Sequence, residues 1–306
     1  MINKKETVSG KLLEVDFYPV WKNGHRVPEK LPRLSLPEQV KYNHRQCEKR
    51  LIRLVNANFD DEDIIMHPTY SPDKAPLDKE GVLDKKRARM DLKNYLDRVR
   101  RKRKSELKKV IKLLDELPKT ETFDELRQKH TAQKRKLEAP FKYIYVMEVV
   151  TYQRGEHKGR ENCHFHLFVT GGLDRKVYEN MWKCGLRTNA DRFQPKKYGP
   201  EAIAKYMAKS HRSGSKAYVC SRNIDDPDED IKKTRLSPGG LERLAKQRCD
   251  DKEYWEKRYK GYKNKDYRLL KTYPRYNQYN GHWYMTVIMY ADSGGGELPE
   301  WKYDEW

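Results

Sequence analysis

The stretch Cys163-His164-Phe165-His166-Leu167-Phe168-Val169 sets two histidines one residue apart inside an otherwise apolar run. Its Phe, Leu and Val content predicts a β-strand, in which successive side chains point to opposite faces. His164 and His166 then share one face, and Phe165 and Leu167 point away from it. Two imidazoles on one face can share a metal ion. Taken alone, a His-x-His pair is more often two ordinary strand histidines facing water or a polar neighbour, so the surrounding sequence has to decide.

Immediately upstream, Phe141-Lys142-Tyr143-Ile144-Tyr145-Val146-Met147-Glu148-Val149-Val150 is rich in aromatic and β-branched residues and reads as a strong strand. A turn-rich loop over 153–160, with Gly155 and Gly159, returns the chain to the two histidines, which predicts neighbouring antiparallel strands. A carboxylate inside an apolar strand is costly unless it is paired or bound to a cation. Glu148 is such a residue, and antiparallel pairing can bring it beside the histidines. Glu148, His164 and His166 thus form a candidate divalent-metal site with positions left open for substrate oxygens.

The chain has 306 residues, enough for one large domain or two smaller ones. With 66 Lys+Arg against 46 Asp+Glu it carries a formal net charge of +20, which points to a polyanionic partner, since each cation placed on a phosphate releases counterions. Its 21 tyrosines suit stacking on bases. No segment reaches the roughly 18 to 20 apolar residues of a membrane span, and no apolar signal region follows Met1; a cytoplasmic protein without a membrane partner is expected. Five widely spaced cysteines without a Cys-x-x-Cys pair argue against a disulfide framework and a structural zinc site.

The first 40 residues show one strand candidate, 12–17, and no clear period. Residues 38–55 read as a basic amphipathic helix and 63–70 as a strand containing Pro68. Leu92, Tyr95, Leu96 and Val99 at i, i+3, i+4 and i+7 predict a helix with one buried face, while Arg98 and Arg101 belong to its dense positive surface and are candidate phosphate contacts. Residues 103–138 read as an inserted helical hairpin broken at Pro118. A short helix is expected over 175–184 and a short strand near 186–188. Residues 200–209 open on Pro200 and Glu201 and predict a helix on which Tyr206 and Lys209 are neighbours, as are Lys205 and Lys209. Strands are expected at 217–224 and 283–290, and helix over 240–260. The acidic run 225–230 reads as the end of a region.

His164-Phe165-His166 followed 40 residues later by helical Tyr206-Met207-Ala208-Lys209 resembles the HUH endonuclease superfamily, closest to replication-initiator (Rep) proteins of rolling-circle plasmids and single-stranded DNA phages. Ile64-Ile65-Met66-His67-Pro68-Thr69-Tyr70 stands in the place of the family's first strand motif, Glu148 in that of its third metal ligand, and Tyr218-Val219-Cys220-Ser221-Arg222-Asn223 in that of the strand after the tyrosine helix. The resemblance covers about residues 56–224. Where two-tyrosine members have the other tyrosine, four positions earlier, this chain has Ala202, so it implies a one-tyrosine enzyme. Pro68 falls inside the first strand motif, where it cannot donate to a sheet ladder.

The resemblance implies an α+β fold: a central, mainly antiparallel sheet carrying the metal ligands and flanked by helices. A nickase domain over 56–230 would hold the insertion at 103–138, with an N-terminal extension (1–55) and a C-terminal one (231–306) outside it. It implies Mn²⁺ or Mg²⁺ on Glu148, His164 and His166, Tyr206 as nucleophile on single-stranded or hairpin origin DNA, and Lys209 lowering the phenol's pKa or holding the phosphate. Lys205 and Arg222 are further candidate DNA contacts. The product would be a 5′-phosphotyrosine and a free 3′-OH that primes rolling-circle replication, with later rejoining. The chain has no Gly-rich Walker loop, so unwinding is expected from a host helicase, with a host polymerase extending the primer. Three alternatives are a non-catalytic DNA-binding copy-control regulator, a conjugative relaxase, and a His-x-His metallohydrolase. Binding alone needs none of Glu148, His164, His166 and Tyr206; relaxases usually carry the tyrosine ahead of the histidines; and the eightfold strand–helix alternation of a barrel hydrolase is lacking.

Overall fold

The computed structural model describes residues 1–20, 36–185, 188–199, 201, 218–278, 280–292 and 298–302. The expected nucleophile helix, with Lys205, Tyr206 and Lys209, lies outside the described residues. The strands are β1 (Ile2–Ser9), β2 (Leu12–Pro19), β3 (Ile64–Met66), β4 (Tyr143–Thr151), β5 (Glu161–Val169), β6 (Ala190–Arg192), β7 (Val219–Cys220), β8 (Asp228–Lys233), β9 (Tyr267–Asn277) and β10 (His282–Ala291). The α-helices are α1 (Leu36–Asn58), α2 (Lys85–Glu116), α3 (Asp124–Glu138), α4 (Arg175–Met181), α5 (Pro195–Tyr198), α6 (Pro238–Gln247) and α7 (Lys252–Arg258).

The architecture is α+β, with two five-stranded antiparallel sheets in two compact units rather than the single central sheet expected. In the unit built mainly from residues 59–193, the strand order is β6-β3-β5-β4-β7, which puts the two-histidine strand β5 at the centre. Alternation along β5 does what its sequence requires. Cys163, Phe165, Leu167 and Val169 are all fully buried, packed with Leu92, Tyr95, Leu96 and Val99 of α2 and with Tyr178 and Trp182. Each such side chain contributes about 1.5–3 kcal/mol of burial. His164, His166 and Phe168 take the opposite face, where Phe168 packs on Phe59 and Phe193.

Helix α2 begins where Asp84 caps the amides of Lys86 and Arg87, and runs unbroken to Glu116. The expected hairpin over 103–138 is therefore the second half of α2 with α3, and no break separates it from the amphipathic first half. The strand expected over 63–70 ends at Met66, before His67-Pro68. That near 186–188 is found instead as β6, with Leu186 and Arg187 outside the described residues.

The second unit joins the two ends of the chain. Sequence reads them as separate extensions; instead they interleave in one sheet of order β8-β1-β2-β10-β9. Leu13, Val15 and Phe17 of β2 face Leu241, Leu244 and Trp255 of α6 and α7. Helix α1 covers the other face, where Arg53 forms a two-pronged pair with Glu14 at 2.9 and 2.5 Å. The acidic run continues into the edge strand β8, pairing with β1, and Lys5 meets Glu229 at 2.8 Å. The run that reads in sequence as the end of a region thus enters a strand, and its charges are what an exposed edge tolerates. No described helix is long and apolar enough to cross a membrane.

Candidate metal centre

Strands β4 and β5 pair so that Glu148 stands directly opposite His164 and Val146 opposite His166. Opposed residues share a face, and residues two apart along one strand do too, so the register alone gathers Glu148, His164 and His166. Glu148 Oε2 lies 2.7 Å from His164 Nε2 and 2.9 Å from His166 Nε2. One ligand atom from each of the three falls within 4.8 Å of the others. Two imidazoles and a carboxylate make a mixed N/O donor set that can hold a divalent ion and leave positions free for other oxygens. The site is dry on one side and open on the other: the side chain of His166 is 2% exposed, against 23% for His164 and 29% for Glu148.

A fourth residue completes the site, and the sequence reading passed over its role. Met66 of β3 pairs with Leu167, and beyond Pro68 the ladder resumes with Thr69 opposite His164; Phe165 N donates to Pro68 O at 2.9 Å between them. The register is kept across the proline, which loses only its own donor. His67 is thereby set across from His166, and their Nδ1 atoms lie 3.0 Å apart. Burial, with His166 and His164 close by, pushes His67 down to about 4, so it is a neutral imidazole at pH 7. Burial also lowers His166, offset in part by Glu148. With His166 Nε2 given to a metal, its Nδ1–H is left to donate to His67 Nδ1, which fixes tautomer and ring orientation. The signal was available in Ile65, His67 and Thr69, which alternate onto one face of the expected first strand. Which face was fixed only by the register with β5.

The remaining candidates separate in space and role. Arg98 is half-buried and its Nη2 donates to Met181 O at 3.1 Å, tying α2 to the end of α4. Arg101 is exposed, with Nε on Asp97 O. Arg222 is exposed in the turn after β7.

Comparison with protein-family models, with curated proteins and with solved structures finds no match for this chain. The functional reading therefore rests on the residues themselves.

Proposed function

We propose that the chain is a replication-initiator nickase of the HUH type, cutting and rejoining single-stranded origin DNA with Tyr206 as nucleophile. The observation that carries this reading is the convergence of Glu148 on both His164 and His166 on an open sheet face, in a chain of net charge +20. Glu148, His164 and His166 would hold a Mn²⁺ or Mg²⁺ ion. That ion, when bound, supplies charge neutralisation for a scissile phosphate. His67 holds His166 in the ligating tautomer. The Tyr206 phenolic oxygen attacks phosphorus and loses its proton to solvent; the P–O3′ bond breaks, and the leaving 3′ oxygen takes up a proton to become the 3′-OH. The tyrosyl phosphodiester conserves the energy of the bond broken, so attack by a 3′-OH reverses the step. Lys209, one helical turn from Tyr206 in the expected helix, lowers the phenol's pKa or steadies the phosphate.

The test is incubation of the full chain with a library of single-stranded oligonucleotides and Mn²⁺, followed by denaturing electrophoresis. A nuclease-trimmable protein–DNA adduct, abolished by EDTA and in Tyr206→Phe, is the expected result. An adduct that survives in Tyr206→Phe assigns the nucleophile elsewhere; binding without any adduct supports a non-catalytic DNA-binding regulator instead.

A further inference from the structure

The unit formed by the two chain ends contains an open cleft of about 820 Å³ that plays no part in the metal chemistry. One wall is α1, with Tyr42, Arg45 and Lys49 about one helical turn apart; the floor and other wall are β2, β9 and β10, with Lys271, Tyr273 and Arg275 two residues apart along β9. Five of its lining side chains are cationic, among them Lys5, which pairs with Glu229, and one, Asp16, is acidic. Asp16 accepts from Thr286 Oγ1 at 2.5 Å. Burial, with Glu14 beside it, pushes Asp16 up to about 7, so even this acid carries less than a full charge near neutral pH.

Aromatic rings are interleaved with the cations. Tyr42 is 51% exposed at the rim. The Arg275 guanidinium lies over the Tyr284 ring, 5.4 Å from its centroid, a cation–π contact. Cations spaced along a groove can track a phosphate backbone, and rings among them can stack on bases only where those bases are unpaired. A folded acidic partner would satisfy the charge but leave the ring faces unused.

We infer that this cleft is a second nucleic-acid site, binding a single strand of DNA through phosphate contacts from Arg45, Lys49, Lys271 and Arg275 and base stacking on Tyr42 and Tyr273. The charge and stacking arguments stand on the cleft alone; the choice of DNA over RNA rests on the reading under Proposed function. A strand held here would give the protein affinity for DNA that needs neither metal nor covalent chemistry.

The experiment uses fluorescently labelled dT20 and the full chain carrying Tyr206→Phe, in EDTA, so that failure of the nickase reading cannot influence the result. Lys271→Glu/Arg275→Glu alters two exposed strand residues, and Lys257→Glu/Lys260→Glu, at exposed positions on and just after α7, matches its change in net charge away from the cleft. The cleft variant is expected to bind about tenfold or more weakly at 0.1 M salt and to lower the salt slope by about 1.4, as losing two single-strand phosphate contacts requires. Tyr42→Ala, which changes no charge, is expected to weaken binding about fivefold or more through lost stacking. Equal losses in the cleft and control variants would overturn the inference, as would duplex DNA binding as tightly as dT20. An rU20 preference would overturn the assignment to DNA, and retention of polyglutamate in place of dT20 would make the cleft a protein-docking surface.

Discussion

At the scale of single residues, His67 shows how a site is completed by a group that touches no substrate. It sits on a different strand from the ligands, 99 positions from His166, and makes one contact with them at 3.0 Å. Because that contact would hold His166 with Nδ1 protonated and Nε2 free for a metal, His67→Ala is expected to leave the fold intact and to weaken Mn²⁺ binding about 10–100-fold, measured by titration calorimetry. Glu148→Gln, by contrast, removes a ligand charge and should abolish measurable binding. Unchanged Mn²⁺ affinity in His67→Ala would mean that the two rings only pack. His67, His164 and His166 were all visible in the sequence, yet only two were read as a pair, because two residues apart on one strand is a local relation and across a ladder is not.

At the scale of elements, the join between α2, α3 and β5 depends on one buried guanidinium. Arg103 is 3% exposed and donates to Lys136 O, Leu137 O and Ala139 O from Nη2, at 3.0–3.2 Å, and to Thr170 O from Nη1 at 3.4 Å. The first three carbonyls belong to the end of α3, which has no intrahelical donors left for them. Gly172, at φ +103°, lets Arg103 in: a Cβ there would come within 2.8 Å of Nη1. Arg103→Ala is expected to destabilise the protein by about 2–4 kcal/mol in urea denaturation, with Arg103→Lys recovering little because one ammonium cannot span four carbonyls. The exposed Arg101→Ala should stay within about 0.5 kcal/mol of the parent. Equal midpoints for the two alanine variants would refute this role for Arg103. In the sequence, 98, 100, 101 and 103 are one positive run; which arginine turns inward depends on where α3 returns.

At the scale of the whole molecule, the first 20 residues belong with the last 80. Strand β2 lies between β1 and β10, so removing residues 1–19 takes away two of five strands and bares β10, whose Val287, Ile288 and Met289 are fully buried. Hydrogen exchange on that truncation is expected to show lost amide protection through β9 and β10 but retained protection in β4 and β5, which have their own core. Loss in both sheets would show that the two units fold as one cooperative block. The sequence by itself determined the candidate metal ligands, the β4–β5 hairpin that aligns them and the buried face of α2. Each of these depends on alternation or periodicity between residues close in the chain, where geometry follows directly from residue type. Tertiary structure alone decided that β1, β8 and β9 are strands, that the two ends share a sheet, and that His67 meets His166. Lys4 finds its partner at Lys232 and Val15 at Val287. The pairings that join the two ends, β8 with β1 and β2 with β10, come from partners more than two hundred residues away, while β1 and β9 pair with the neighbouring β2 and β10 but are too polar to stand out as strands; no local pattern records either.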